Sequence, residues 1–241
     1  MGDIFEQIER ERKNLIKGKD RFTLEYFRDK FQPTSFLRDR FNAKGEYDYC
    51  LDDLRCIIDE YCFAVASAGT FYNLLPSIKI PYEFGEANEK LFFYFMDDSY
   101  SRLYGIWNRM GNFLNIFFRV VKDNKIYFEK VIDSLNHNPH NQLQGFIWLN
   151  NFRSNSDYKK ILKYRHPIIH KAISYSAYFK KFIEEIARPK NPGKLVEESE
   201  LKIIIEEERE KSLMFVSNSF DQIDAGIDNL VSFIQKSFVR S

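Results

Sequence analysis

Arg165, His166 and His170 stand together in the stretch Lys163-Tyr164-Arg165-His166-Pro167-Ile168-Ile169-His170-Lys171, which holds two of the chain's four histidines. These residue types can handle a phosphate and a proton. Imidazole titrates near neutral pH and can act as a general acid or base. Guanidinium presents a planar fork that matches the oxygens of a phosphate. Pro167 sets the expected geometry, because proline suits the first turn of a helix and disfavours helical dihedrals in the residue before it. The pattern predicts a helix that restarts at Pro167, with His166 as its cap, Arg165 just outside and His170 in the first turn. Amide N–H groups at a helix start attract anions, and the dipole there opposes a positive imidazole. The expected site holds a phosphate beside a largely neutral histidine.

The surroundings are basic. Between Arg153 and Lys171 there are six Lys or Arg residues (153, 159, 160, 163, 165 and 171) against one acid, Asp157. A charge run alone is usually a solvated face. Beside an arginine and histidine pair it is what a phosphodiester site needs, and Lys163 and Lys171 are the expected phosphate contacts. A second polar face lies upstream, where Asn108, Asn112, Asn115 and Arg119 recur at helical spacing with Arg102 and Arg109 beside them. Amides and guanidinium groups bind phosphates or bases, so Arg109 and Asn112 are further candidate contacts. The commoner reading of such a face is solvation or polar packing between helices. No metal is expected. His137 and His140 flank Pro139 in a turn-forming run without a carboxylate or cysteine beside them. Cys50, Cys56 and Cys62 are spaced by six and fit no zinc pattern. They read as reduced thiols of a cytoplasmic protein. With no glycine-rich phosphate loop and no serine nucleophile motif, no cofactor is expected either.

Arg165-His166-Pro167-Ile168-Ile169-His170 resembles the Arg-x4–6-His signature of the HEPN superfamily of helical ribonucleases and nucleotide-binding proteins, with a polar residue directly after the arginine as the family prefers. The resemblance implies an all-α bundle, usually a homodimer, in which two motifs meet at the interface and cleave RNA without metal. Arg165, His170 and His166 are then the catalytic set. Some members are toxins or antiviral effectors, so a stress or defence role and a neutralising protein partner are among the expectations. The alternative from the same motif is a catalytically silent module that binds a nucleotide or a protein partner. One branch, regulated by a nucleotidyltransferase antitoxin, carries a tyrosine two residues after the histidine. Ala172 stands there, so control by adenylylation of that tyrosine is not implied.

The elements that must position these residues read as helices. Leu51, Leu54, Ile58, Tyr61, Val65, Ala68, Tyr72 and Leu75 step by three and four, which predicts a helix over 49–75, stopped before Pro76. Leu103, Ile106, Met110, Phe113, Phe117 and Val120 predict a second over 86–122. A third is expected over 157–187, containing the motif, and a fourth over 199–238. The last carries a near-regular heptad from Leu213 to Ile234 that either closes the bundle or pairs with another chain. Its start, Glu197 to Glu210, holds seven glutamates and would repel RNA. Residues 1–48 are charged and mixed, and read as an N-terminal helical extension packed on a core of 49–241. The expected fold is an all-α, up-and-down bundle of long antiparallel helices.

Composition limits the partners. The 241 residues include 24 Phe and 14 Tyr, ample for a core, while the formal net charge is only +1. RNA binding must therefore use a local patch rather than a global field. No apolar run approaches the roughly 18–20 residues of a membrane span, and the charged start Met-Gly-Asp-Ile-Phe-Glu does not resemble a secretion leader.

Overall fold

The structure, a computed structural model, describes the chain outside residues 1, 17–20, 42–44, 76–77, 79–86, 123–125, 172–174, 188–196 and 240–241. The side chains of residues 2, 39, 166–171, 175, 176, 178 and 187 also lie outside the described part. The fold is all-α, and among the described residues there is no strand. In chain order the elements are α1 (Gly2–Leu15), α2 (Leu24–Phe31), a 3-10 turn (Gln32–Leu37), α3 (Arg38–Phe41), α4 (Glu46–Tyr72), α5 (Ala87–Phe118), α6 (Phe128–Leu135), α7 (Gln144–Ser154), α8 (Ser156–Lys171), α9 (Tyr175–Ala187) and α10 (Glu198–Phe238). Among the described residues no helix is long and apolar enough to cross a membrane.

The chain divides into two compact units. The first is Met1–Lys17, Tyr61–Ser101 and Tyr164–Asn218; the second is Gly18–Glu60, Arg102–Lys163 and Ser219–Ser241. Helices α4, α5, α8 and α10 each run from one unit into the other. The N-terminal 48 residues are shared, with α1 in the first unit and α2 and α3 in the second.

In the first unit, small residues on α4 (Ala64, Ala66, Ser67 and Ala68) are fully buried and allow close helix approach, while Phe71, Phe92, Phe93 and Met96 fill the core. The Tyr61 hydroxyl donates to the Val216 carbonyl at 2.6 Å. Arg209 of α10 forms a buried ion pair with Glu89 in the first turn of α5. At the end of α4, the Tyr72 hydroxyl donates to Glu206 at 2.9 Å. Desolvation and that carboxylate raise the phenol to about 12.

In the second unit, Trp107 is fully buried and stacks on Phe152 with ring centroids 4.0 Å apart. Helices α7 and α10 touch through Gly145. A Cβ there would sit 2.4 Å from the Asn229 carbonyl oxygen and 3.0 Å from Phe233. Gly145→Ala is expected to destabilise the protein by about 2 kcal/mol, the cost typical of overpacking, seen as a lower urea midpoint at unchanged slope. Helices α4 and α5 are joined by ion pairs of Arg102 with Glu60 and Arg109 with Asp53, and Arg119, just past the end of α5, pairs with Glu46.

A charged clasp fixes α2 on α10 within this unit. Arg21 pairs with Asp221 at 2.7 Å, the Tyr26 hydroxyl donates to Asp224 at 2.5 Å, and Lys30 pairs with Asp228 at 2.5 Å. Burial pushes the Asp224 carboxyl up, but hydrogen bonds from Tyr26 and Lys30 and the charges of Lys30 and Arg21 outweigh it and hold the group below its ordinary 3.8. Burial and the Asp224 carboxylate raise the Tyr26 phenol well above its ordinary 10.0. The signs follow by linkage. Asp224 stabilises fully above 3.8, and that contribution is lost as pH falls below it. Tyr26 stabilises fully below 10.0, and its contribution is lost as pH rises beyond. Asp224→Asn should therefore flatten both the acid and the alkaline fall in urea midpoint relative to wild type.

Expected boundaries move, and α4 spans Glu46–Tyr72 rather than 49–75. Helix α5 ends at Phe118, short of Lys122, and Arg119 takes a left-handed conformation with φ 49°. The Asn115 amide explains the stop: its Nδ2 donates to the Val121 carbonyl and its Oδ1 accepts from the Val121 N–H, both at 2.9 Å. The heptad of α10 lies inside the chain, since Val216, Phe220, Ile223, Ile227, Leu230 and Ile234 are all buried. Leu213, at its start, is half-buried.

Candidate functional site

Helix α8 carries the motif, and its start explains its register. Asn155 caps it, with Oδ1 accepting from the Tyr158 N–H at 2.8 Å. Asp157 in the first turn suits the positive end of the dipole. Tyr158 and Ile161 are fully buried, and in the second unit Tyr158 packs on Trp107, Phe128 and Phe152. In the first unit Tyr164 is buried against Tyr100, with centroids 4.6 Å apart.

These anchors carry the helix past Pro167. The expected restart at Pro167 is replaced by one element from Ser156 to Lys171. A proline inside a helix removes the bond from its own position to the carbonyl four residues back; here that is the bond between positions 167 and 163. The cap at Asn155 and the buried residues Tyr158, Ile161 and Tyr164 hold the helix in spite of that loss. His166 is therefore an interior position rather than a cap, and His170 lies in the last turn. A helix end offers carbonyl oxygens and the negative pole, which favour cations. The free amides of a helix start, expected beside His170, are therefore not present at this point of α8.

Arg165 is half-buried, on the line of Tyr158 and Ile161 that the spacings of four and seven define. Lys163 is exposed, and so is Lys159 one turn before it. The side chains of His166, His170 and Lys171 lie outside the described residues. In a regular helix, positions five apart differ by about 140° around the axis. Positions 165 and 170 are such a pair.

The upstream candidates belong to the second unit. Arg109 Nε lies 3.0 Å from Asp53 Oδ2. Asn112 is half-buried, and its Oδ1 has no hydrogen-bond partner among the described residues. Its neighbours do structural work. Asn108 Oδ1 accepts from the Phe128 N–H at 3.1 Å and so holds the start of α6, while Asn115 clamps the segment after α5. Polar packing accounts for these two amides. Among the described residues, no three His, Cys, Asp or Glu side chains converge in a group that could hold a metal ion. Lys159 was not among the sequence-derived site residues. It lies exposed on α8, four residues before Lys163.

A family model described as HEPN_Cthe2314-like HEPN matches residues 83–235, more than half of the chain. The match runs across α5 to α9 and most of α10, with positions 165–170 inside it. No curated protein and no solved structure matches the chain.

Proposed function

We propose, because the chain belongs to the HEPN superfamily, that it is a metal-independent endoribonuclease whose site is built on α8. Arg165 holds the non-bridging oxygens of the scissile phosphate and offsets the charge that grows in the transition state. A histidine takes the proton of the RNA 2′-hydroxyl as that oxygen attacks the adjacent phosphorus. A second acid gives a proton to the departing 5′-oxygen. The bond from phosphorus to the 5′-oxygen breaks, leaving a 2′,3′-cyclic phosphate and a 5′-hydroxyl. His170 takes one of these proton transfers, and His166 orients the site or serves the other. Lys163 and Lys171 hold flanking phosphates. The observation that supports the reading is the family match over a region that contains the arginine and histidine pair.

The site is completed by a second copy. Cyclising cleavage needs one group to remove a proton and another to deliver one at the same phosphorus, and one motif is thin for that work. Two motifs across a twofold axis supply the full set. A neutralising protein partner, as expected of a toxin or an antiviral effector, would act by covering this face.

The test is generic single-stranded RNA in EDTA, with product ends identified. Cyclic phosphate ends that vanish in the His170→Ala chain support the reading, and absence of cutting by the wild type rejects it in favour of a silent binding module. Mixing equal amounts of wild type and His170→Ala should leave about a quarter of the activity if both motifs serve each phosphate, against about half for simple dilution.

A further inference from the structure

We infer that a groove between α1, α4 and α10 binds a small aliphatic polyamine, with the methylene chain on its floor and ammonium groups at two carboxylates. The groove has a volume of about 290 Å³ and is lined by Leu15, Val65, Gly69 and Met214, with Glu11 and Glu210 among its polar walls. All six belong to the first unit, and among the described residues no residue of α8 lines the groove. Its size is at the lower end of the roughly 300–1,000 Å³ of small-molecule sites. That suits a slender ligand and not a folded partner.

Small residues on α4 leave the space. Ala66 and Gly69 are three apart and both line the groove. A Cβ at Gly69 would meet no heavy atom within 4 Å. Glycine inside a helix weakens it, and no close neighbour demands one at this position. Met214 is 53% exposed, and its flexible thioether can adapt to an apolar chain. Tyr72, another wall, is held by the hydrogen bond from its hydroxyl to Glu206 at 2.9 Å. An aromatic ring beside an ammonium adds a cation–π attraction.

Charge names the ligand. Along α10, Glu198 pairs with Lys202, Glu206 with Arg209 and Glu207 with Lys211. Glu210 and, on α1, Glu11 pair with no cation among the described residues. A metal ion does not answer this pair of carboxylates. Among the described residues, no three His, Cys, Asp or Glu side chains form a group that could hold one. A cation whose charges are spread along an apolar chain serves both carboxylates and covers the floor between them. Lysine stems lie on apolar surface with the ammonium kept polar for the same reason.

The experiment is a calorimetric titration of the full chain with spermidine at fixed ionic strength and without RNA. Wild type should show saturable binding. The pair Glu11→Gln/Glu210→Gln should weaken it about tenfold, roughly threefold for each ion pair lost. Gly69→Leu should abolish it by filling the floor, while the melting temperature holds or rises, because leucine favours helix and its Cβ meets no neighbour. The control pair Glu197→Gln/Glu200→Gln removes equal charge from exposed positions at the start of α10 and should leave the affinity unchanged. Magnesium ion at equal charge concentration and an uncharged straight-chain diol should not displace spermidine. No saturable binding by wild type, an equal loss in the control pair, equal displacement by magnesium, or undiminished affinity in a folded Gly69→Leu chain overturns the site. Should Gly69→Leu fail to fold, the two glutamate pairs decide, since both change only surface charge.

Discussion

His170→Ala is expected to lower RNA cleavage in EDTA by about a hundred- to ten-thousand-fold, the range that a positioned acid or base contributes. Arg165→Ala should lose about a hundred- to a thousand-fold, as removal of one donor to a developing anion does. The two substitutions differ in structural risk. Position 170 is the penultimate residue of α8, so its loss should leave the melting temperature within a degree or two of wild type. Arg165 is half-buried on the line of Tyr158 and Ile161, where its stem adds packing. Arg165→Lys is the cleaner test, since it keeps charge and most of the stem but loses the planar fork. Cleavage rates and thermal melts on the same preparations decide the matter. Inactive chains that still melt like wild type place the pair in the chemistry, inactive chains that have unfolded make it structural, and fully active chains put the site elsewhere.

The largest stability effect is expected at Arg209. Its side chain is 1% exposed and pairs with Glu89, itself 4% exposed. Taking both charges out of water is costly, and their attraction offsets that cost only while both are present. Arg209→Met removes one and strands the other, for an expected loss of about 3–5 kcal/mol. In a chain of this size that lowers the melting point by roughly 10 °C. The double change Arg209→Met with Glu89→Leu should recover most of the loss, because an apolar pair of similar volume avoids the desolvation altogether. A double mutant no more stable than Arg209→Met alone would show that the pair contributes more than mutual neutralisation. With Glu89→Leu alone added, the four melts form a cycle that gives the coupling directly.

The parts of the fold legible from the sequence are those whose partners lie within a turn or two. The apolar stripe of α4 was readable because Leu54, Ile58, Tyr61, Val65 and Ala68 repeat at helical spacing, and all five are buried. The α5 stripe was readable in the same way, but its end was not. The stop depends on the Asn115 side chain closing on Val121, a choice of hydrogen bonds that no hydrophobic pattern encodes. At the motif, Pro167 gave a strong local signal for a helix start. It was outweighed by the Asn155 cap and the aromatic anchoring of Tyr158, which involves Trp107, fifty-one residues away. The clasp of Arg21, Tyr26 and Lys30 on α10 joins residues about two hundred apart in sequence. Composition could place charges at both ends, but not in register with each other. Of the candidate site, the residue types were plain, but which side of the helix each position takes became readable only once the helix start was known.

The stacking of Trp107 on Phe152 has a consequence for how the molecule can be watched. The chain has two tryptophans, Trp107 and Trp148, and both fall within Arg102–Lys163 of the second unit. Trp107 is fully buried, so its emission should shift to the red when that unit opens. No indole reports on the first unit. Far-ultraviolet dichroism, in contrast, reads helix in both. A denaturation followed by the two signals side by side therefore measures cooperativity without any label. Four helices run from one unit into the other, so the two curves are expected to coincide. A fluorescence midpoint above the dichroism midpoint would mean that the unit containing Arg165 loosens first, with the Trp107 environment still intact.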